Sequence, residues 1–166
     1  MTEYRHTQPG TMLLAIMGAV VLVEAAIVLA TVSAATFANE SGASVAVAVA
    51  VALPVTILLF ALGYAFRSMT VHIHDGRLEW WFGSGFPRYS KRLSEIADVR
   101  IWPARGFALG IHWTRDGWLY NVSGMKGVQV ALIDGKGFIL GTDEPETLES
   151  ALRAALDESG VKEESA

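Results

Sequence analysis

His72 and His74 are the residues of this 166-residue chain whose types and spacing come nearest to a site for chemistry. In a strand, alternation projects both imidazoles from one face, and His112 offers a third nitrogen. A metal ion needs three or four converging ligands, and no carboxylate stands at a spacing that completes the set. Ser90, Ser94 and Ser123 lack the sequence setting of a nucleophile elbow or triad. Gly83 and Gly85 lie outside the strand–loop–helix context of a phosphate-binding loop. The chain has no cysteine, which removes thiolate catalysis, disulfides and cysteine metal sites. No catalytic residue, metal or cofactor is expected, and the chain reads as a protein that is not an enzyme.

Glu24 is a different case. It is the only charge in two long apolar stretches, Thr11 to Ala38 and Val45 to Phe66, separated by the polar break Asn39-Glu40-Ser41-Gly42. A bilayer core takes about 20 apolar residues of helix, so the stretches read as a transmembrane hairpin, with helices about 11–38 and 45–66 and a loop at 39–44. The apolar run is too long for the core of a cleaved signal peptide. A carboxylate at such a depth is costly unless paired or protonated. Glu24 therefore marks either a polar contact with Thr56, Tyr64 or a second copy, or an ion or proton path in an oligomer. Ala26, Ala30, Ala34 and Ala38, with Ala46 and Ala50, form stripes that suit close helix packing. Pro54 should bend the second helix.

Charge orients the hairpin. Arg67, Arg77, Arg88, Lys91 and Arg92 follow the second helix, Arg5 precedes the first, and the loop holds Glu40 without Lys or Arg. The positive-inside rule then puts both termini in the cytoplasm of a cell (inner) membrane. Residues 67–141 carry ten Lys/Arg against six Asp/Glu, and residues 142–166 two against eight. The body of the domain is thus mildly basic and its tail acidic, and the basic excess is too small for a nucleic-acid footprint.

From Met69 the periodicity turns to alternation, with Val71 and Ile73 opposed to His72 and His74. Strands are expected there and at 77–82, 88–92, 98–102, 108–114, 117–121, 128–133 and 136–140, with hairpin turns at Asp75-Gly76, Asp116-Gly117 and Asp134-Gly135. A final amphipathic helix follows, capped by Asp143 with Glu146, with Pro145 in its first turn and Leu148, Leu152 and Leu156 as its apolar stripe. Residues 1–10 read as a short cytoplasmic segment, 67–157 as the domain and 158–166 as a disordered acidic tail.

The runs Trp118-Leu119-Tyr120-Asn121-Val122-Ser123-Gly124, Asp134-Gly135-Lys136 and Gly141-Thr142-Asp143-Glu144-Pro145-Glu146-Thr147-Leu148 resemble the end of bacterial pleckstrin-homology-like (PH-like) domains. The resemblance covers about Met69 to Leu156. It implies a membrane α-helical hairpin plus a mainly-β PH-like domain: about seven antiparallel strands, a partly open barrel and one C-terminal amphipathic helix. It also implies a non-enzymatic, membrane-associated module, and it brings no catalytic residues. Phosphoinositide-binding members cluster Lys/Arg on the first hairpin, whereas Asp75-Gly76 has only Arg77 beside it.

In such a meander the loops 83–87, 103–107 and 123–127 fall at the membrane end. Trp81, Phe86, Arg88, Trp102, Arg105, Phe107 and Lys126 are then the candidate membrane-surface contacts, and Asp75, Glu95, Asp116 and Asp134 occupy the far end. The expected partners are the lipid bilayer, anionic lipid head groups and a protein partner or a second copy of the chain.

Overall fold

The computed structural model describes residues 3–38, 42–83, 85–103 and 109–164. It divides into two units: residues 13–64 form one, and residues 1–12 together with 65–166 form the other.

The first unit follows from composition. Helices α1 (Thr11–Phe37) and α2 (Ala43–Ala65) are apolar almost throughout, and both are long and apolar enough to cross a membrane. Glu24 of α1 meets Thr56 of α2, and Gly63 of α2 lies beside Leu14 and Met17 of α1, so the helices run antiparallel. Thr31, Ser33 and Thr36 donate their hydroxyls to carbonyls four residues back, at 2.9, 2.9 and 2.8 Å. Polar atoms on an apolar helix are thereby satisfied without outside partners. Most large apolar side chains point outward, Leu22 at 72% and Phe60 at 68% exposure among them, as suits a helix pair solvated by lipid rather than water.

The second unit holds nine strands among the described residues: the eight segments expected from alternation and one more at the N-terminus, against the about seven that the PH-like resemblance implies. Strands β1 (Tyr4–Pro9), β2 (Ser68–His74), β3 (Arg77–Phe82) and β4 (Arg88–Arg92) form one antiparallel sheet in sequence order. After a 3-10 turn at Leu93–Glu95 come β5 (Ile96–Trp102), β6 (Gly110–Thr114), β7 (Gly117–Asn121), β8 (Gly127–Leu132) and β9 (Gly137–Gly141). These make a second sheet in the order β5-β8-β9-β7-β6. The sheets do not join into a closed barrel.

Two departures from the expected meander have physical causes. β9 inserts between β8 and β7 and runs parallel to β7, pairing Trp118 with Phe138 and Tyr120 with Leu140. Phe138, Ile139 and Leu140 are all buried, and a continuous apolar run of this kind suits a strand covered on both faces. The segment expected to be a bare N-terminus is instead β1, whose six residues pair with β2 from Tyr4–Ile73 to Pro9–Ser68. Its apolar content is too low for the hydrophobic pattern to reveal it. Only Tyr4 enters the core among Tyr4, His6 and Gln8, while Arg5, Thr7 and Pro9 face the other side.

The core lies between the sheets. From the first come Met69, Val71, Ile73, Leu78, Trp80 and Phe82, and from the second Val99, Val122, Val128, Val130, Phe138 and Leu140. Trp80 stacks on Phe138 at 4.6 Å and on Tyr89 at 5.5 Å, which ties the sheets together.

Helix α3 (Pro145–Glu164) closes the unit with Leu148, Leu152 and Ala155 buried, and it continues beyond residue 157, where a disordered tail was expected. Arg153 fixes it laterally, donating to the Val99 carbonyl and to Glu149 at 2.9 Å and lying 3.6 Å from Asp98. The expected cap differs as well. The Glu144 N–H donates to the Thr142 hydroxyl at 3.1 Å, while Asp143 accepts a 2.7 Å hydrogen bond from the His6 ring.

His6 and Asp143 thus latch β1 to the start of α3, and Tyr4 lies close by. Burial, followed by the carboxylates of Glu144 and Asp143, pushes the Tyr4 phenol up to about 12. Among the described residues the buried Tyr4 hydroxyl has no hydrogen-bond partner. Because the folded state holds the proton more tightly than the unfolded chain, this contribution to stability is intact below pH 10 and declines as pH rises toward 12. Tyr4→Phe should abolish that alkaline decline and, by deleting an unpartnered buried hydroxyl, should match or exceed wild-type stability at pH 7 by up to about 1 kcal/mol. Urea unfolding at pH 7 and pH 11 checks both expectations; a variant less stable than wild type at both would contradict them.

Candidate functional site

Strand register sorts the candidate residues onto two ends of the β unit. Residues 10 and 67, where the chain leaves for the helices, are held together by the Gly10 N–H donating to the Arg67 carbonyl at 2.8 Å. The loop after Asn121 joins the same end. Gln8 donates to the Ser123 carbonyl at 2.6 Å, and the hydroxyls of Thr11 and Ser123 are 3.2 Å apart. Gly83 donates to Ser68 at 2.8 Å, Phe82 to Pro87 at 3.2 Å, and Thr142 to Lys126 at 3.1 Å. The loops around 83–87 and 123–127 therefore surround the strand ends that lead into α1 and α2.

Within this rim Phe86 is 81% exposed and Met125 49%, and Arg88 and Lys126 are exposed. Trp81 stands one position inward and is buried. The Arg88 guanidinium carbon lies 4.4 Å from its ring centre, that of Arg5 5.7 Å, and the His72 ring meets it edge-on at 6.2 Å. Trp102 behaves otherwise. At 5% exposure it packs with Leu119 and Ile139 in a small second core, and its indole N–H donates to Asp116 at 3.0 Å. It has no free face for a surface contact. Arg105 and Phe107 lie outside the described residues.

At the other end stand the Asp75-Gly76 turn, Glu95, Asp116 and Asp134. The Lys91 ammonium 3.0 Å away, then the Arg92 N–H, hold the Glu95 carboxyl below its usual range. The Lys136 N–H does the same for Asp134. These carboxylates serve turns and local ion pairs.

His72 and His74 do share one strand face, with rings stacked 4.2 Å apart. Carboxylates surround them: Glu3 lies 3.6 Å from His72, and Asp75 and Glu79 lie 3.4 and 3.5 Å from His74. His112 belongs to β6 in the other sheet. Among the described residues no three His, Cys, Asp or Glu side chains are placed to hold a metal ion.

Glu24 belongs to the helical unit. Thr56 donates to its carboxyl at 2.7 Å, which selects one of the polar partners the sequence offered. Glu24 itself borders an apolar groove of about 350 Å³ lined by Val20, Val23, Ile27, Ala48, Val51 and Val55. Glu24→Gln keeps an oxygen that can accept from Thr56, so membrane insertion and thermal stability in detergent should match wild type within about 1 kcal/mol. Thr56→Val removes the donor and should be the more damaging change. A collapse of the Gln variant alone would show that the ionised carboxylate is required.

Sequence reasoning missed Arg5, which stands beside Trp81 two register positions farther from the helices than Arg88. No hydrophobic signal marks its strand, and its place beside Trp81 depends on pairing with β2, 67 positions along the chain at Arg5–His72. The assembled surface offers guanidinium donors, an exposed aromatic ring and an ammonium group, a chemistry of binding. Comparison of the chain with protein-family models, with curated proteins and with solved structures returns no match.

Proposed function

We propose that the chain is a non-enzymatic integral protein of the cell (inner) membrane, with both termini cytoplasmic, that presents a PH-like domain to protein partners and to the adjacent membrane surface. One observation carries the reading. Two neighbouring strands, β1 and β2, connect directly to the two apolar helices, and the same end of the β unit displays Phe86 and Arg88 from one sheet and Lys126 from the other. A tether of so few residues keeps that rim within reach of the lipid surface. There an aromatic ring suits the interface, and each Lys or Arg gains about 1 kcal/mol from anionic lipid. The facing sheets and C-terminal helix support the PH-like assignment, while the parallel β7–β9 pair departs from the antiparallel strands that the resemblance implies.

The test is flotation of the β unit, residues 1–12 joined to 65–166 by a short linker, with neutral and anionic vesicles. Salt-sensitive binding to anionic vesicles, weakened by Phe86→Ala and Arg88→Ala, is expected. Equal recovery with both vesicle types at all salt concentrations would sink the membrane-surface reading and leave a protein partner. The other function class, an oligomeric channel or transport accessory built on Glu24, requires ion or proton flux in proteoliposomes that Glu24→Gln abolishes.

A further inference from the structure

Arg5 and Arg88 approach the same indole from β1 and β4, the two edge strands of the four-stranded sheet. Their guanidinium carbons lie 5.7 and 4.4 Å from one ring centre, so they are no farther apart than those two distances together. Neither guanidinium donates a hydrogen bond to a protein acceptor among the described residues. Among the described residues the carboxylate that reaches Arg88 is Glu79, at 4.0 Å from Nε and shared with His74 at 3.5 Å. Trp81 is firmly seated at 9% exposure, beside the buried Thr70, whose hydroxyl is 2.8 Å from that of Thr7. Stacking on a fixed aromatic face restrains a guanidinium while leaving its N–H edge free. Both guanidiniums are exposed, with N–H edges open to an anion that the two can reach together.

We propose that Arg5 and Arg88, laid on Trp81, form a clamp for a phosphate group, either that of an anionic lipid head group or a free phosphate. This rests on the membrane-surface reading above and adds to it a defined ligand chemistry. Guanidinium forks match the paired oxygens of phosphate. The clamp is assembled from the N-terminal strand and a strand more than 80 residues later, so it exists only in the folded unit.

Full-length protein in neutral detergent, equilibrated with equimolar phosphatidylglycerol and phosphatidylcholine and read by native mass spectrometry, tests it. Wild type should retain phosphatidylglycerol about tenfold over phosphatidylcholine, a ratio equal to about 1.4 kcal/mol. Arg5→Gln and Arg88→Gln should each reduce that preference, and Arg100→Gln, on the other sheet, should leave it intact. Arg88→Lys keeps the charge without the fork and should also lose most of it. Inorganic phosphate distinguishes the sources: displacement of the lipid at low millimolar phosphate assigns the clamp to free phosphate, and failure to displace assigns it to the head group. Equal retention of both lipids with no phosphate adduct, full retention in the Lys variant, or equal loss in Arg100→Gln would overturn the clamp. A rim that still touches lipid through Phe86 would then leave the membrane-surface reading standing without it.

Discussion

Replacing residues 13–64 with a linker of about six Gly/Ser residues is expected to yield a soluble, folded β unit, whereas residues 68–166 alone should not fold. The difference lies in β1. Its pairing covers the edge of β2 from Ser68 to Ile73, and β2 supplies Met69, Val71 and Ile73, each at most 3% exposed. Without β1 that edge is bare, Tyr4 leaves the core, the Gln8–Ser123 bond is lost and α3 loses its His6 latch. A domain with a net stability of about 5–15 kcal/mol cannot shed a paired strand and part of its core and stay folded. The bare edge also invites association with other chains. The linker need not be long, since the Gly10 N–H already bonds to the Arg67 carbonyl at 2.8 Å. Size-exclusion chromatography and amide dispersion in proton–nitrogen NMR spectra separate the outcomes. A monomeric, well-dispersed 68–166 fragment would mean that β1 is dispensable.

Gly117→Ala should be the most damaging single substitution in the β unit, at about 3 kcal/mol or more. Gly117 opens β7 with φ at +113°, a backbone conformation that side-chain-bearing residues rarely adopt. An added Cβ would also press into the Gly137 carbonyl group, at the point where β7 and β9 begin their parallel pairing. Neither atom belongs to a flexible side chain, so the strands must part. That would disturb Trp118, Phe138 and the core behind them. Gly135→Ala is the control: its φ is +81°, yet its Cβ would meet open space, and the cost should stay near 1–2 kcal/mol. Thermal unfolding of the linked β unit should show a loss on the order of 15 °C for Gly117→Ala. Equal losses for the two variants would mean that backbone conformation alone, without the close approach, sets the cost.

What the sequence made legible follows the strength of each physical signal. The helices are plain because length and apolarity alone specify them, and Asp75-Gly76, Asp116-Gly117 and Asp134-Gly135 mark turns through backbone chemistry that needs no tertiary context. β1 has no such signal: its inward face is Tyr4, His6 and Gln8, two of which satisfy polar rather than apolar needs. Strand order is a tertiary property, and only the unbroken apolar run Phe138-Ile139-Leu140 hinted that β9 is a central strand. Aromatic type alone did not sort the rim. Phe86 is exposed, Trp102 is a core residue and Trp81 is a buried support for two arginines. Arg5 entered the site only through strand pairing.

On the proposed function, the end of the β unit bearing Phe86 meets the lipid surface while the end bearing Asp75 does not. The chain contains no cysteine, so Phe86→Cys and Asp75→Cys each create a single labelling site without background. Spin labels at the two positions in the full-length protein, reconstituted in anionic nanodiscs, report depth through their relative accessibility to oxygen and to a water-soluble nickel chelate. The label at position 86 should favour oxygen and be shielded from nickel, while the label at position 75 should be open to nickel. Equal, fully aqueous behaviour at both positions would contradict it.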